Sequence, residues 1–298
     1  MSRFVERLSE DRPILLDGAT GTELERRGVN TSSPIWSAMA LVDAPGIVEQ
    51  VHRDYLEAGA EVIIANTFRT QRRALTKVGM GDEAARLAGL AVSIARKAVQ
   101  VSGKEAFVAG SMAPLEDSYT PFEQAYETFL QEHREIANNL AAAGVDLLMI
   151  ETMNSVREAQ AAAQAAQETG LPFGVSFVCG QDGRLLSGES LQEVTDAVSE
   201  FKPSFLSINC TPLPAMAKAL TALLAATDLP IGAYANAGHS EDFEKWGVAA
   251  PPEDYARHAK DWLAMGAKLV GGCCETQPEH IAAIFKPEHV EAIDGKMA

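Results

Sequence analysis

The sequence predicts an α/β protein, a (β/α)8 TIM barrel in which eight parallel strands each lead into a helix. Three observations predict it. Helical stretches end in glycine and short aliphatic runs follow at once, as in EAG-AEVIIANTF at Gly59, AAG-VDLLMIET at Gly144, ETG-LPFGVSFV at Gly170 and AMG-AKLVGG at Gly266. Glycine just past a helix end takes the left-handed conformation that stops the helix without a Cβ penalty. Eight such runs are nearly continuous in apolar character, as parallel strands buried on both faces are. The first and last begin 254 residues apart, seven steps of about 36 residues, which suits a fold of about 250 residues plus insertions.

The elements follow in order. Strand one is read at 14–17 (ILLD), and the loop DGATGTE leads to a helix beginning near Glu23. A helix over 47–58, with Ile47, Val48, Val51, Tyr55 and Leu56 on one side, precedes strand two at 62–66. Strands three and four are read at 107–111 and 147–151, and the Ala-rich helix 156–168 follows. The remaining strands are read at 173–178, 205–209, 231–235 and 268–271. The competing architecture is a doubly wound open sheet, which usually carries a glycine-rich dinucleotide loop after its first strand. Here Gly18 and Gly21 do not complete G-x-G-x-x-G, so the barrel is preferred. No linker, charge block or low-complexity tract interrupts the chain, and residues 1–298 are read as one domain.

The 298 residues carry a net charge of −16 and are 47% hydrophobic, the composition of a folded protein. That charge argues against nucleic acid or an anionic membrane as partner, because both are polyanions. MSRFVERLSEDR is polar and mixed in sign, so no signal peptide is expected. No apolar stretch approaches the roughly 20 residues of a spanning helix. Four cysteines are too few for a disulfide scaffold. A cytoplasmic protein is expected, and its oligomeric state is left open.

In a barrel, the chemistry gathers at the carboxyl ends of the strands. Those ends read Asp17-Gly18, Asn66-Thr67, Gly110-Ser111, Glu151-Thr152, Cys179, Asn209-Cys210, Asn236 and Cys273-Cys274. Cys210 ends strand six and Cys273-Cys274 ends strand eight, on one rim. Three thiolates suit Zn2+ and leave its fourth position open, the arrangement of a catalytic site. A vicinal disulfide would be strained, and no C-x2-C spacing favours an iron–sulfur cluster. Cys179, by itself, reads as a small packing residue. A thiol entering the open position would be deprotonated and nucleophilic at neutral pH. Backbone N–H groups of the loop at Gly18, Ala19 and Thr20 could hold a carboxylate. Asp17 and Glu151 could hold an ammonium, although Asp17 reads equally as a turn residue. Together these describe a thiol amino acid.

The segments LLDGATGTELERRG, ANTFRT, GSMAP, IETMNSVREA, INCTP, AYANAG and VGGCCETQPEHI resemble the homocysteine S-methyltransferase family, in order over nearly the whole chain. The resemblance implies a homocysteine-binding barrel in which zinc lies on Cys210, Cys273 and Cys274. It implies homocysteine contacts at Asp17, Glu151 and the backbone of Gly18 to Thr20. In some members the asparagine at the position of Asn236 approaches zinc when no thiol is present. The partners implied are homocysteine and a small methyl donor, with a sulfonium such as S-methylmethionine or S-adenosylmethionine preferred. Betaine, dimethylsulfoniopropionate, another thiol or selenol acceptor, and a non-catalytic methionine or homocysteine sensor stay open. The length leaves no room for a cobalamin- or folate-holding domain of the kind in complete cobalamin-dependent methionine synthases.

Departures from the family pattern fall at 110–119 (GSMAPLEDSY) and at Glu275, so they concern the donor. Asn66 and Thr67 read as rim packing or donor contacts. Trp36 and Tyr119 could line a cationic donor pocket by cation–π attraction, with packing as the alternative. Trp246 and Trp262 read as loop or helix residues. The six histidines show no H-x-H or H-E-x-x-H spacing and are expected to be solvated or capping residues.

Overall fold

The computed structural model describes residues 2–238 and 248–286; His239, Trp246, His289 and the tail PEHVEAIDGKMA lie outside the described residues. The strands are β1 (Ile14–Leu15), β2 (Val62–Ala65), β3 (Phe107–Met112), β4 (Leu147–Met153), β5 (Phe173–Phe177), β6 (Phe205–Pro212), β7 (Ile231–Asn236) and β8 (Ala267–Val270). All pair in parallel, in the order β1-β8-β7-β6-β5-β4-β3-β2. Leu16 then bridges Val62, with Asp17 N–H donating to Val62 O (3.0 Å) and Glu61 N–H to Leu15 O (2.7 Å). That contact closes the sheet and excludes the open doubly wound alternative. The fold is a TIM barrel.

All four helix-ending glycines adopt positive φ: Gly59 at 103°, Gly144 at 84°, Gly170 at 75° and Gly266 at 113°. The helix read at 156–168 is Val156–Glu168, and that read at 47–58 is Pro45–Glu57. The helix expected near Glu23 is Gly21–Arg26, where buried Glu23 pairs with Arg26 and Arg27. One apolar layer lies between strands and helices. A second fills the barrel, where Ile14, Leu16, Val62, Leu147, Phe205 and Leu269 meet. The N-terminal helix Arg3–Leu8 adds Phe4 and Leu8 to this inner cluster, and Phe4 meets Phe107 edge-on at 5.4 Å.

Four strands run past the ends expected from sequence, β3 and β7 by one residue and two others further. β4 continues beyond Glu151 and β6 beyond Asn209, and the register shifts in both. The cause is local: Thr152 (φ 59°) and Cys210 (φ 50°) are left-handed residues that bulge their strands. Asn209 spans the gap, its Oδ1 accepting from Thr152 N–H and its Nδ2 donating to Thr152 Oγ1, both at 2.9 Å. A non-glycine residue in this region costs about 1–3 kcal/mol and persists only where neighbours over-determine it. The two bulges sit beside the two side chains, Glu151 and Cys210, that the sequence singled out.

The histidines correct one expectation. His52 and His133 are buried rather than solvated, whereas His258 is exposed and His280 caps the helix Pro278–Ile284 through Gln277. His133 lies 3.2 Å from Glu158, but neither ring nitrogen of His52 has a partner. Burial therefore pushes the His52 pKa down from 6.5 to about 4. The folded state takes up this proton later than the unfolded chain. Stability is thus full above pH 6.5 and falls by about 3 kcal/mol as pH drops toward 4. His52→Leu should flatten that part of a denaturant-midpoint profile; a slope identical to the parent's would remove His52 as its source. No helix among the described residues is long and apolar enough to cross a membrane.

Candidate active site

A cavity of about 350 Å³ opens at the carboxyl end of the barrel. Its floor is buried: Ser111 from β3, Glu151 from β4, Asn209 from β6 and Tyr234 from β7. Its rim is partly exposed and aromatic, with Trp36, Phe68 and Tyr119 beside Arg69 and Asp117. One wall is thiol. The Sγ atoms of Cys210, Cys273 and Cys274 all lie within 4.8 Å of one another, and those of Cys210 and Cys274 are 3.5 Å apart. Backbone bonds hold the pair on β8's exit: Cys273 N–H donates to Ala235 O (2.9 Å), and Ala237 N–H donates to Cys274 O (3.0 Å). Cys179 is buried, and burial raises its thiol pKa; it lines no part of the cavity.

The thiols differ in acidity. Burial opposes ionisation of Cys210, but hydrogen bonding with Cys273, Cys274 and Tyr119 outweighs it and holds Cys210 well below the usual thiol range. Its neighbours, hydrogen-bonded with Cys210, are held above that range. Tyr119 Oη lies 3.2 Å from Cys210 Sγ, and Asn236 Nδ2 lies 3.9 Å from it. Asn236 Oδ1 is engaged by Gly238 N–H at 2.9 Å, so the amide presents nitrogen to the sulfur. The sequence signalled Tyr119 only as an aromatic residue. Its contact with Cys210 spans 91 positions, and no local pattern encodes it.

The acids lie at the base. Ser111 Oγ donates to Glu151 Oε2. Burial pushes Glu151 up to about 7, hydrogen bonds from Ser111 and Tyr234 pull it down, and the Cys210 charge adds to the rise. Asp17 is buried behind Gly18 and does not line the cavity. Its Oδ2 accepts from Ile64 N–H at 2.9 Å, while Oδ1 is buried without a partner. Burial raises Asp17 well above the carboxylate range, Ile64 opposes this, and the charge of Glu151 adds to it.

Gly18, Ala19 and Thr20 line the cavity, but Ala19 N–H already donates to Thr276 Oγ1 at 3.1 Å. The loop therefore offers the Gly18 and Thr20 N–H groups rather than three. A Cβ on Gly18 would sit 2.8 Å from Thr276 Oγ1 and from the Tyr55 ring, so this position needs glycine. Tyr55 Oη in turn donates to Ala19 O and Thr276 O. Asn66 is tied to Ser37 and Thr67 to Ser111, which makes both braces of the rim.

With this geometry in view, comparison with known proteins is decisive. The family model described as homocysteine S-methyltransferase matches residues 14–287. The chain belongs to the homocysteine S-methyltransferase family. It is therefore a methyltransferase-family enzyme. It is 32% identical to the homocysteine S-methyltransferase YbgG of Bacillus subtilis, over 91% of this chain and 93% of that one. It is also 32% identical to a selenocysteine methyltransferase of Astragalus bisulcatus, over 92% of each chain. The crystal structure of the homocysteine methyltransferase MmuM from Escherichia coli, in its metallated form, superimposes with a TM-score of 0.81 at 31% identity, covering 94% of this chain and 97% of that one.

Proposed function

We propose that this protein transfers a methyl group from a small sulfonium donor to the thiol of homocysteine, forming methionine, with Zn2+ held by Cys210, Cys273 and Cys274. The observation that carries the proposal is the trio of thiols sharing one cavity wall above Glu151. Three sulfur donors within a few ångströms fit zinc, and three protein ligands leave one of its four positions for a substrate atom. Bound there, zinc supplies the Lewis acidity that keeps a substrate thiol ionised at neutral pH.

The chain's own residues do the rest. Glu151, which lines the cavity, accepts the homocysteine ammonium, while Asp17 lies buried behind the wall. The Gly18 and Thr20 N–H groups face the carboxylate. Tyr119 donates to Cys210 and orients that wall, and Asn236 stands behind the same sulfur. The substrate thiolate attacks the donor methyl carbon, forming a C–S bond as the sulfonium's C–S bond breaks. The electron pair stays on the departing sulfur, which leaves as a neutral thioether, so no general acid is needed. Trp36, Phe68 and Tyr119 offer ring faces to the cationic donor.

The test offers homocysteine with S-methylmethionine, S-adenosylmethionine, betaine or dimethylsulfoniopropionate and measures methionine, with selenocysteine as a second acceptor. Methionine formation from a sulfonium, at close to one zinc per chain, is the expected result. Homocysteine binding without turnover of any donor would make the protein a sensor and sink the proposal.

A further inference from the structure

The rim holds a charge that the reaction above does not use. Among the described residues lining the cavity, Arg69 is the one cation; the other charged residues there are Asp117 and Glu151. Its guanidinium is only partly spent. Nη1 donates to Glu116 O at 2.7 Å and to Pro114 O at 3.2 Å, while Nε and Nη2 donate to no described residue. The group is fixed by those carbonyls and by the Phe68 ring, whose centroid is 5.1 Å from Cζ. An arginine held at one nitrogen and open at two others is preorganised for a planar anion, because its fork matches a carboxylate.

Two substrates must share about 350 Å³, close to the lower limit of ligand pockets, roughly 300 Å³. The acceptor is assigned to the buried floor, where Glu151 and the Gly18 and Thr20 N–H groups lie. Arg69 stands instead on the partly exposed rim with Phe68, Tyr119 and Asp117. A donor entering above the acceptor would place its onium group among rings and its other end against Arg69.

Building on the methyltransferase reading, we propose that Arg69 is the specificity residue of the donor subsite, its open Nε and Nη2 binding the carboxylate of the methyl donor. A bare alkylsulfonium lacks that anion, and a nucleoside-bearing sulfonium would have to leave its base outside the cavity.

The test compares matched pairs with homocysteine as acceptor: dimethylsulfoniopropionate against its carboxamide, and S-methylmethionine against its carboxamide. A charge-assisted pair of hydrogen bonds corresponds to a preference of roughly 10- to 100-fold in kcat/KM for the carboxylate. In Arg69→Gln this ratio should collapse toward one through a rise in donor KM, with the homocysteine KM unchanged. Arg69→Lys, which keeps the charge but loses the fork, should give an intermediate ratio. Arg69 also braces the 114–116 loop, so the wild-type ratio itself decides if the glutamine variant does not fold. Methionine formation by wild type with no carboxylate preference overturns this inference alone. A variant that raises the homocysteine KM instead would move Arg69 to the acceptor and overturn it too. Failure of wild type with every donor would overturn the methyltransferase reading and this inference with it.

Discussion

Cys273→Ser is expected to lose bound metal and methyl transfer together. A serine hydroxyl is not ionised at neutral pH and replaces a soft thiolate with a poor ligand for zinc. The remaining two sulfurs, Cys210 and Cys274, lie 3.5 Å apart but cannot complete a three-ligand site. A metal ion contributes several kcal/mol of charge stabilisation to such chemistry, which places the fall in kcat on the order of a thousandfold. Cys179→Ala is the matched control, because that thiol is buried and lines no part of the cavity. It should keep parental zinc by elemental analysis and parental turnover. Samples must be kept reduced, since a disulfide within the trio would mimic the serine variant. A metal-free Cys273→Ser protein turning over at the parental rate would end the zinc proposal.

The barrel was legible because its signals are local. A glycine that must take positive φ, followed by an apolar run, marks the junction of helix and strand wherever it occurs, and Gly59, Gly144, Gly170 and Gly266 all do so. The cysteines were legible because a parallel barrel gathers strand ends that are far apart in sequence; Cys210 and Cys274 are 64 positions apart. The bulges were not. Thr152 is held left-handed by a cross-strand amide, that of Asn209 beside the left-handed Cys210, and the amide's bonds exist only after β4 and β6 are in place. The burial of His52 could have been read, since positions 48, 51, 52, 55 and 56 form the buried stripe of its helix. Arg69 lay in plain view in ANTFRT, but its two open nitrogens follow from the path of the 114–116 carbonyls, which sequence does not describe.

Glu151 supplies the other large effect, because its function and its cost to the fold share one cause. Burial pushes its pKa up to about 7 from 4.5. An ammonium needs the ionised form, so homocysteine affinity should climb through pH 6 to 8. Below 7 it should lose about tenfold per unit from this group. Glu151→Gln should remove that component and weaken binding by roughly 10- to 100-fold, the effect of a hydrogen bond to a charged group. The stability effect runs the other way. The folded pKa lies above the unfolded one, so below pH 4.5 the group contributes nothing. Between 4.5 and 7 the unfolded chain loses its proton first, and above 7 the ionised, buried carboxylate costs the ligand-free fold about 3 kcal/mol. The glutamine variant, equal to the parent near pH 4.5, should therefore melt several degrees higher at pH 8 while binding homocysteine more weakly. Two measurements decide this: melting temperature at both pH values, and homocysteine affinity by calorimetry. A variant that is less stable at pH 8 would mean the carboxylate is held by a favourable partner in the folded protein. In that case the proposed ammonium anchor would be wrong.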